Sequence, residues 1–437
     1  MDLSEESRKA ELEALQRQIT QLTAITAESG RMFAKGLSII AERLEKIEAT
    51  MARLERKVGP AGGPTVVVRT VVPPAPRAAA PAPTSASAAK KPLSPPRRTP
   101  FASNLDRQVR ELNEGATDLQ SYPTEMAIDL TSRSNLEWVL GRNRTENVPA
   151  FDFEVSRWQE VKTFLPYLRA VYLGGIGEPL LYPRIEEVLT DLQVHPVILK
   201  VVASNGLLLN DERLADLVMR SVNRLAISLE GATKETYERF RPGASFDRLV
   251  NNLQRVQALA NEANGKPLEI IFQTVPLKSN LAELPELVRL AHRLGVRHIV
   301  GQHLLSVPGR EQFEREQSVR DIPEEYNRTM EEVRLVANEL KVQIGLPGKF
   351  PLPGEAPAEP KASLPRKCAY PWKYFQVARC PDYEIAPCGF MPIGNLGAQD
   401  SITAAWNCDA MKKIRATVNS ANPADWPKKC QTCACKR

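Results

Sequence analysis

From Glu125 onward the chain alternates short apolar runs with amphipathic stretches, and no other feature restricts the possible folds as tightly. The strand-like runs fall at 125–131, 169–174, 197–203, 223–229, 268–275 and 297–302. Between them apolar residues recur at helical spacing, as at Ile185, Val188, Leu189 and Leu192, or Leu249, Leu253, Val256 and Leu259. A helix between two strands returns the chain to its starting edge, so repeated units of this kind predict a parallel sheet covered by helices. Six units predict an α/β fold, a partial (β/α)6 barrel of the TIM kind, with its functional loops at the C-terminal ends of the strands.

The segments upstream obey other rules. Phe33, Leu37, Ile40, Leu44, Ile47, Met51, Leu54 and Val58 are spaced alternately by four and three residues, which is a heptad seam. Residues 1–58 therefore read as a coiled coil, with a weaker stretch around Gly30 and Gly36. So narrow an apolar stripe needs a partner helix. Self-association is the expectation, and docking on the protein's own body is the alternative. Residues 59–104 hold eleven prolines and six Lys or Arg, with no Asp or Glu. That composition builds no core and reads as an extended linker. Its six charges equal the net charge of +6, so the basicity belongs to a linker rather than to a folded groove. This argues against nucleic acid as a partner. No apolar run is long enough for a membrane span, and the N-terminus lacks the order of a secretory signal. The chain reads as cytoplasmic.

All seven cysteines lie at or after Cys368. An odd number, clustered in a chain with no export signal, favours a metal site over disulfides. A proline-rich stretch at 345–367 separates this region from the barrel, giving expected domains at 1–58, 59–104, 105–350 and 351–437. The four histidines, His195, His292, His298 and His303, show no ligand spacing. His303, just past a strand end, reads either as lining the site or as structural.

The strand ends carry the specific motifs. The first is followed by Asp129-Leu-Thr-Ser-Arg-Ser134-Asn-Leu-Glu-Trp138-Val-Leu-Gly141, and the second by Gly174-Gly175-Ile176-Gly177-Glu178-Pro179. The third ends in Ser204-Asn205-Gly206, and the fourth in Ser228-Leu-Glu230-Gly231 before the segment 233–247. Glycines at strand ends let a ligand approach the backbone, and a carboxylate there attracts an ammonium group. Taken in order, these motifs resemble those of the radical SAM superfamily, from Tyr122 to the C-terminus. The resemblance implies S-adenosylmethionine contacts at Gly175, Gly177, Glu178, Ser204, Asn205, Ser228 and Glu230. It also implies three cysteines, spaced C-x3-C-x2-C, that ligate a [4Fe–4S] cluster. Here Ser134, Trp138 and Gly141 hold those positions. Serine is a poor ligand for such iron, and Trp and Gly offer none.

The C-terminal sequence contains Cys368-Ala-Tyr-Pro-Trp372, Ala386-Pro387-Cys388-Gly389, Gly394-Asn395-Leu396, Ala405-Trp406-Asn407 and Cys430-Gln-Thr-Cys433-Ala-Cys435. It is similar to the SPASM domain that follows many radical SAM barrels. That likeness implies one auxiliary [4Fe–4S] cluster on Cys368, Cys388, Cys430 and Cys433, with Cys380, Cys408 and Cys435 as substitutes. A four-cysteine zinc site is the alternative. Three functions stay open. One is a catalytically degenerate homologue that binds a protein or peptide partner, with weak S-adenosylmethionine binding. Another is an enzyme using the auxiliary cluster, or S-adenosylmethionine without reductive cleavage. The third is a zinc-stabilised adaptor.

Overall fold

The protein is described by a computed structural model covering residues 99–137, 150–195, 197–262, 268–304, 311–352, 367–378, 383–389, 391–397, 401–431 and 433. The heptad seam and most of the linker lie outside the described residues. The six expected strands all form: β1 (Glu125–Ile128), β2 (Ala170–Leu173), β3 (Leu199–Ser204), β4 (Arg224–Ser228), β5 (Glu269–Thr274) and β6 (His298–Gly301). They pair in chain order, every pair parallel, and a short β7 (Gln343–Gly345) extends the series beyond β6.

Strand alternation sorts the side chains between two faces. Val171, Leu173, Val202, Leu225, Ile227, Ile270, Phe272 and Ile299 join the main core. Against that face pack the crossover helices α2 (Val155–Phe164), α3 (Ile185–Val194), α4 (Glu212–Ser221), α6 (Phe246–Glu262) and α7 (Leu284–Arg293), together with α9 (Pro323–Leu340). The shorter α5 (Lys234–Phe240) and α8 (Glu311–Gln317) complete the series. The inner face has its own small cluster, Val201, Ala226, Ile271 and Val300, beside Tyr172. Near the strand starts this face carries charge: Arg224 donates to Glu269 at 2.6 Å, and Glu269 meets His298 at 2.5 Å.

Two expected boundaries shift. The linker was placed at 59–104, but helix α1 (Pro100–Glu114) already begins at Pro100. Proline is compatible with the first helical turn, where its missing N–H has no intrahelical partner to lose. Thr99 caps it by accepting from the Ala102 amide, and Asn104 is buried. The C-terminal region was expected to form a separate small domain from residue 351. Instead β8 (Tyr374–Ala378) pairs in parallel with β1, and β9 (Glu384–Ala386) and β10 (Gly394–Asn395) continue antiparallel, so one ten-stranded sheet spans both regions. Arg415 closes the joint. It is buried on the Trp406 ring and donates to the carbonyls of Thr117, Pro371 and Trp406, which ties the segment after α1 to the C-terminus. Among the described residues no helix is long and apolar enough to cross a membrane.

Candidate functional site

The loop after β1, where the family pattern has its first cysteine, is held by the protein's own polar groups. Arg133 forms a bidentate pair with Asp152, whose second partner is the Thr131 hydroxyl at 2.7 Å. The Arg133 hydrogen bonds hold the Asp152 carboxyl below its ordinary range. Ser134 turns its hydroxyl back on its own loop. It donates to the Leu136 carbonyl at 2.8 Å and accepts from the Leu136 amide at 3.1 Å. Leu136 is buried, and the Glu137 amide donates to the Pro242 carbonyl. Trp138 and Gly141 lie outside the described residues.

The glycine-rich loop after β2 lies directly on this segment. Gly175 has φ +126°, and a Cβ there would sit 2.0 Å from the Asp129 carboxyl carbon. A Cβ on Gly177 would meet the Thr131 carbonyl oxygen at 2.3 Å. These two glycines are required for the two loops to touch, and the Glu178 amide then donates to the Arg133 carbonyl at 2.8 Å.

Glu178 is engaged by the protein itself. Its carboxylate is buried and faces the protein, accepting from the Asn205 amide (2.7 Å), the Ser204 hydroxyl (2.9 Å) and the Leu180 amide (3.1 Å). Burial raises its pKa in spite of these donors. Glu178 thereby fastens the β2 loop to the β3 loop and so positions Ser204 and Asn205. Asn205 in turn donates through its side-chain amide to Asn135 at 2.8 Å. Ser134's loop, Glu178, Ser204 and Asn205 therefore form one connected network.

At the end of β4, Ser228 is half-buried beside Gln273 of β5. Two residues on, Glu230 is buried and takes both of its oxygens to Arg241, at 2.7 and 2.9 Å. The Arg241 side chain is 5% exposed and that of Glu230 2%. Burial opposes the charge on Arg241, but Glu230 more than compensates and raises its pKa. The sequence reading missed Arg241. Its signal was present, since it lies in the segment 233–247 that follows Glu230.

In the C-terminal region Cys368, Cys388, Cys408, Cys430 and Cys433 are all half-buried. Cys368 is pinned through its backbone by Asn419, which accepts at 2.7 Å and donates at 3.0 Å. Cys388 follows β9, and the Cys433 amide donates to the Cys430 carbonyl. Cys380 and Cys435 lie outside the described residues. Among the described residues no group of three or more His, Cys, Asp or Glu side chains comes together as a metal site.

The parallel strands thus bring the glycine-rich loop and the Ser-Asn-Gly loop together at their C-terminal ends. Residues 157–291 match the model of the Radical SAM superfamily. The AdoMet-dependent heme synthase of Methanosarcina barkeri is 26% identical over 345 residues, which are 73% of this chain and 90% of that protein. The mycofactocin maturase MftC of Mycobacterium tuberculosis is 34% identical over 196 residues, covering 45% of this chain and 47% of the maturase. Among solved structures, SuiB of Streptococcus suis superposes with a TM-score of 0.55 over 90% of this chain and 83% of its own, at 14% identity. That last likeness is one of fold.

Proposed function

We propose that this chain is a radical SAM homologue that has lost reductive cleavage of S-adenosylmethionine and serves as a binding partner for a peptide or protein. The observation that carries the reading is Ser134. Its hydroxyl is spent on the backbone of its own loop, and the loop is fastened by Arg133, Asn135 and Glu137 to the body of the barrel. A serine, a tryptophan and a glycine do not fit a three-thiolate iron site. Asn205 and Ser204 remain in place at the strand ends, so residual, weak binding of S-adenosylmethionine is compatible with the reading. A peptide partner is favoured by the fold neighbour SuiB, which has been crystallised bound to its precursor peptide SuiA.

The remaining assignments belong to the same proposal. Cys368, Cys388, Cys430 and Cys433, which are not gathered as a metal site among the described residues, would be drawn together by one [4Fe–4S] cluster in a SPASM-type region, because four thiolates are the donor set such a cluster takes. Residues 1–58 would associate as a coiled coil and set the oligomeric state. The test is anaerobic incubation with S-adenosylmethionine and dithionite, followed by chromatography for 5′-deoxyadenosine. The expected result is no product above a cluster-free control, and turnover above it would refute the loss of activity.

A further inference from the structure

The C-terminal ends of β6 and β7 carry a second group of residues, on strands other than those that bear the family motifs. His303 lies just beyond β6, and Phe350 follows β7. Their rings stack, with centroids 5.0 Å apart and planes at 29°. Tyr326 of α9 packs against both, at 4.9 Å from Phe350 and 6.0 Å from His303. The arrangement is built rather than incidental. Asn327 clamps Phe350 from both sides of its peptide group, accepting from its amide and donating to its carbonyl, each at 2.8 Å. The Tyr326 hydroxyl donates to the Pro347 carbonyl at 2.8 Å, which fixes the approach of that strand-end segment. Phe350 is nevertheless only half-buried, so one part of its ring is open.

Two polar groups at this ring have no hydrogen-bonding protein partner for their side chains among the described residues. His303 Nδ1 is buried and has no hydrogen-bond partner. Leaving such an atom unpaired costs about 1–3 kcal/mol, so a polar group of this kind inside a native fold calls for an occupant. The guanidinium of Arg320 lies over Phe350, its central carbon 5.8 Å from the ring centre. Arg320 is exposed and, among the described residues, has no carboxylate partner. The neighbouring charges are already paired: Lys278 with Asp321, and both Arg334 and Lys349 with Glu331. Burial and the Arg320 charge keep the imidazole neutral, lowering its pKa to about 4. A neutral imidazole carries one N–H, and a guanidinium forks onto a carboxylate.

We propose that His303, Arg320 and Phe350 form a binding site for a flat carboxylate-bearing ligand, with Arg320 on the carboxylate, His303 hydrogen-bonding beside it and Phe350 as the stacking surface. The guanidinium fork suits a carboxylate or a phosphate alike, and the half-open Phe350 ring favours the carboxylate of a flat ligand, because inorganic phosphate brings no surface to stack. The site is independent of whether S-adenosylmethionine is bound or cleaved. It adds a ligand class at the ends of β6 and β7.

The test uses the full chain with its four histidines labelled at the imidazole, the His303 cross-peak being assigned by its loss in His303→Gln. Benzoate, cyclohexanecarboxylate and inorganic phosphate are the probes. The expected result is that benzoate at millimolar concentration moves the His303 peak saturably and more tightly than the other two. Arg320→Gln, at an exposed position where the unfolding temperature should not change, should weaken benzoate about tenfold, the usual scale for losing a charge-assisted contact. Phe350→Leu should reduce the preference for benzoate over cyclohexanecarboxylate. An unmoved His303 peak, equal benzoate binding in Arg320→Gln, or phosphate binding as tight as benzoate would each overturn the proposal.

Discussion

The buried pair Glu230–Arg241 offers the sharpest test of how the site loops are held. Both side chains are at least 95% enclosed, and the two hydrogen bonds of 2.7 and 2.9 Å are the bidentate geometry that a guanidinium and a carboxylate prefer. Removing one partner strands a charge in the interior. Arg241→Met or Glu230→Leu alone should therefore cost about 3–5 kcal/mol. That is a large share of the roughly 5–15 kcal/mol by which a folded protein is stable. The double variant removes both charges together and should recover to within about 1–2 kcal/mol of the parent, because a buried ion pair is often replaceable by apolar side chains. Urea unfolding followed by tryptophan fluorescence is a suitable assay, since Trp158, Trp372 and Trp406 are fully buried. If each single change costs no more than about 1 kcal/mol, as for a solvent-screened pair, or if the double variant loses the sum of the singles, the pair does not hold the loop as described.

Three further outcomes are expected. Replacing Cys430 and Cys433 by Ala should remove the iron and sulfide measured after anaerobic purification, and unchanged iron would refute the ligand assignment. Asp at both Leu44 and Ile47 should dissociate the N-terminal assembly in sedimentation, because charges in an apolar seam cost several kcal/mol, and a parent chain that is already monomeric would refute the seam. The imidazole of His303 is harder to protonate in the folded chain, at about 4 against 6.5, so the unfolded chain binds the extra proton across that interval. Stability should accordingly fall as the pH drops from about 6.5 towards 4, and His303→Phe should flatten that limb of the unfolding-temperature profile. Identical profiles for the two proteins would count against it.

The six barrel strands were legible because short apolar runs such as 197–203 alternate with helical faces such as that of α3, as strands buried on both faces of a parallel sheet require. The motif residues were legible as positions but less so as roles. Nothing local to Glu178 announces that its carboxylate turns inward, because that depends on the amide of Asn205, brought near only by the pairing of β2 with β3. Glu230 shows the same limit, since its partner is set by the path of α5. The run at 374–378, with its alternating burial, carried a strand signal, but beside the cysteines it was read only as part of a metal region. Whether such a run joins a neighbouring sheet is a long-range property, invisible in a short window.

The pairing of β1 with β8 has a consequence for how the chain is made. Glu125 finds one neighbour, Ala170, soon after synthesis, but its other neighbour is Tyr374. Until the ribosome has released nearly the whole polypeptide, the first barrel strand presents an unpaired edge of amides and carbonyls to the surrounding solvent. Such an edge is a template for any extended chain that reaches it. A fragment ending before β8 should thus recruit strands from other molecules, and the nascent protein would depend on chaperone cover until its last strands arrive.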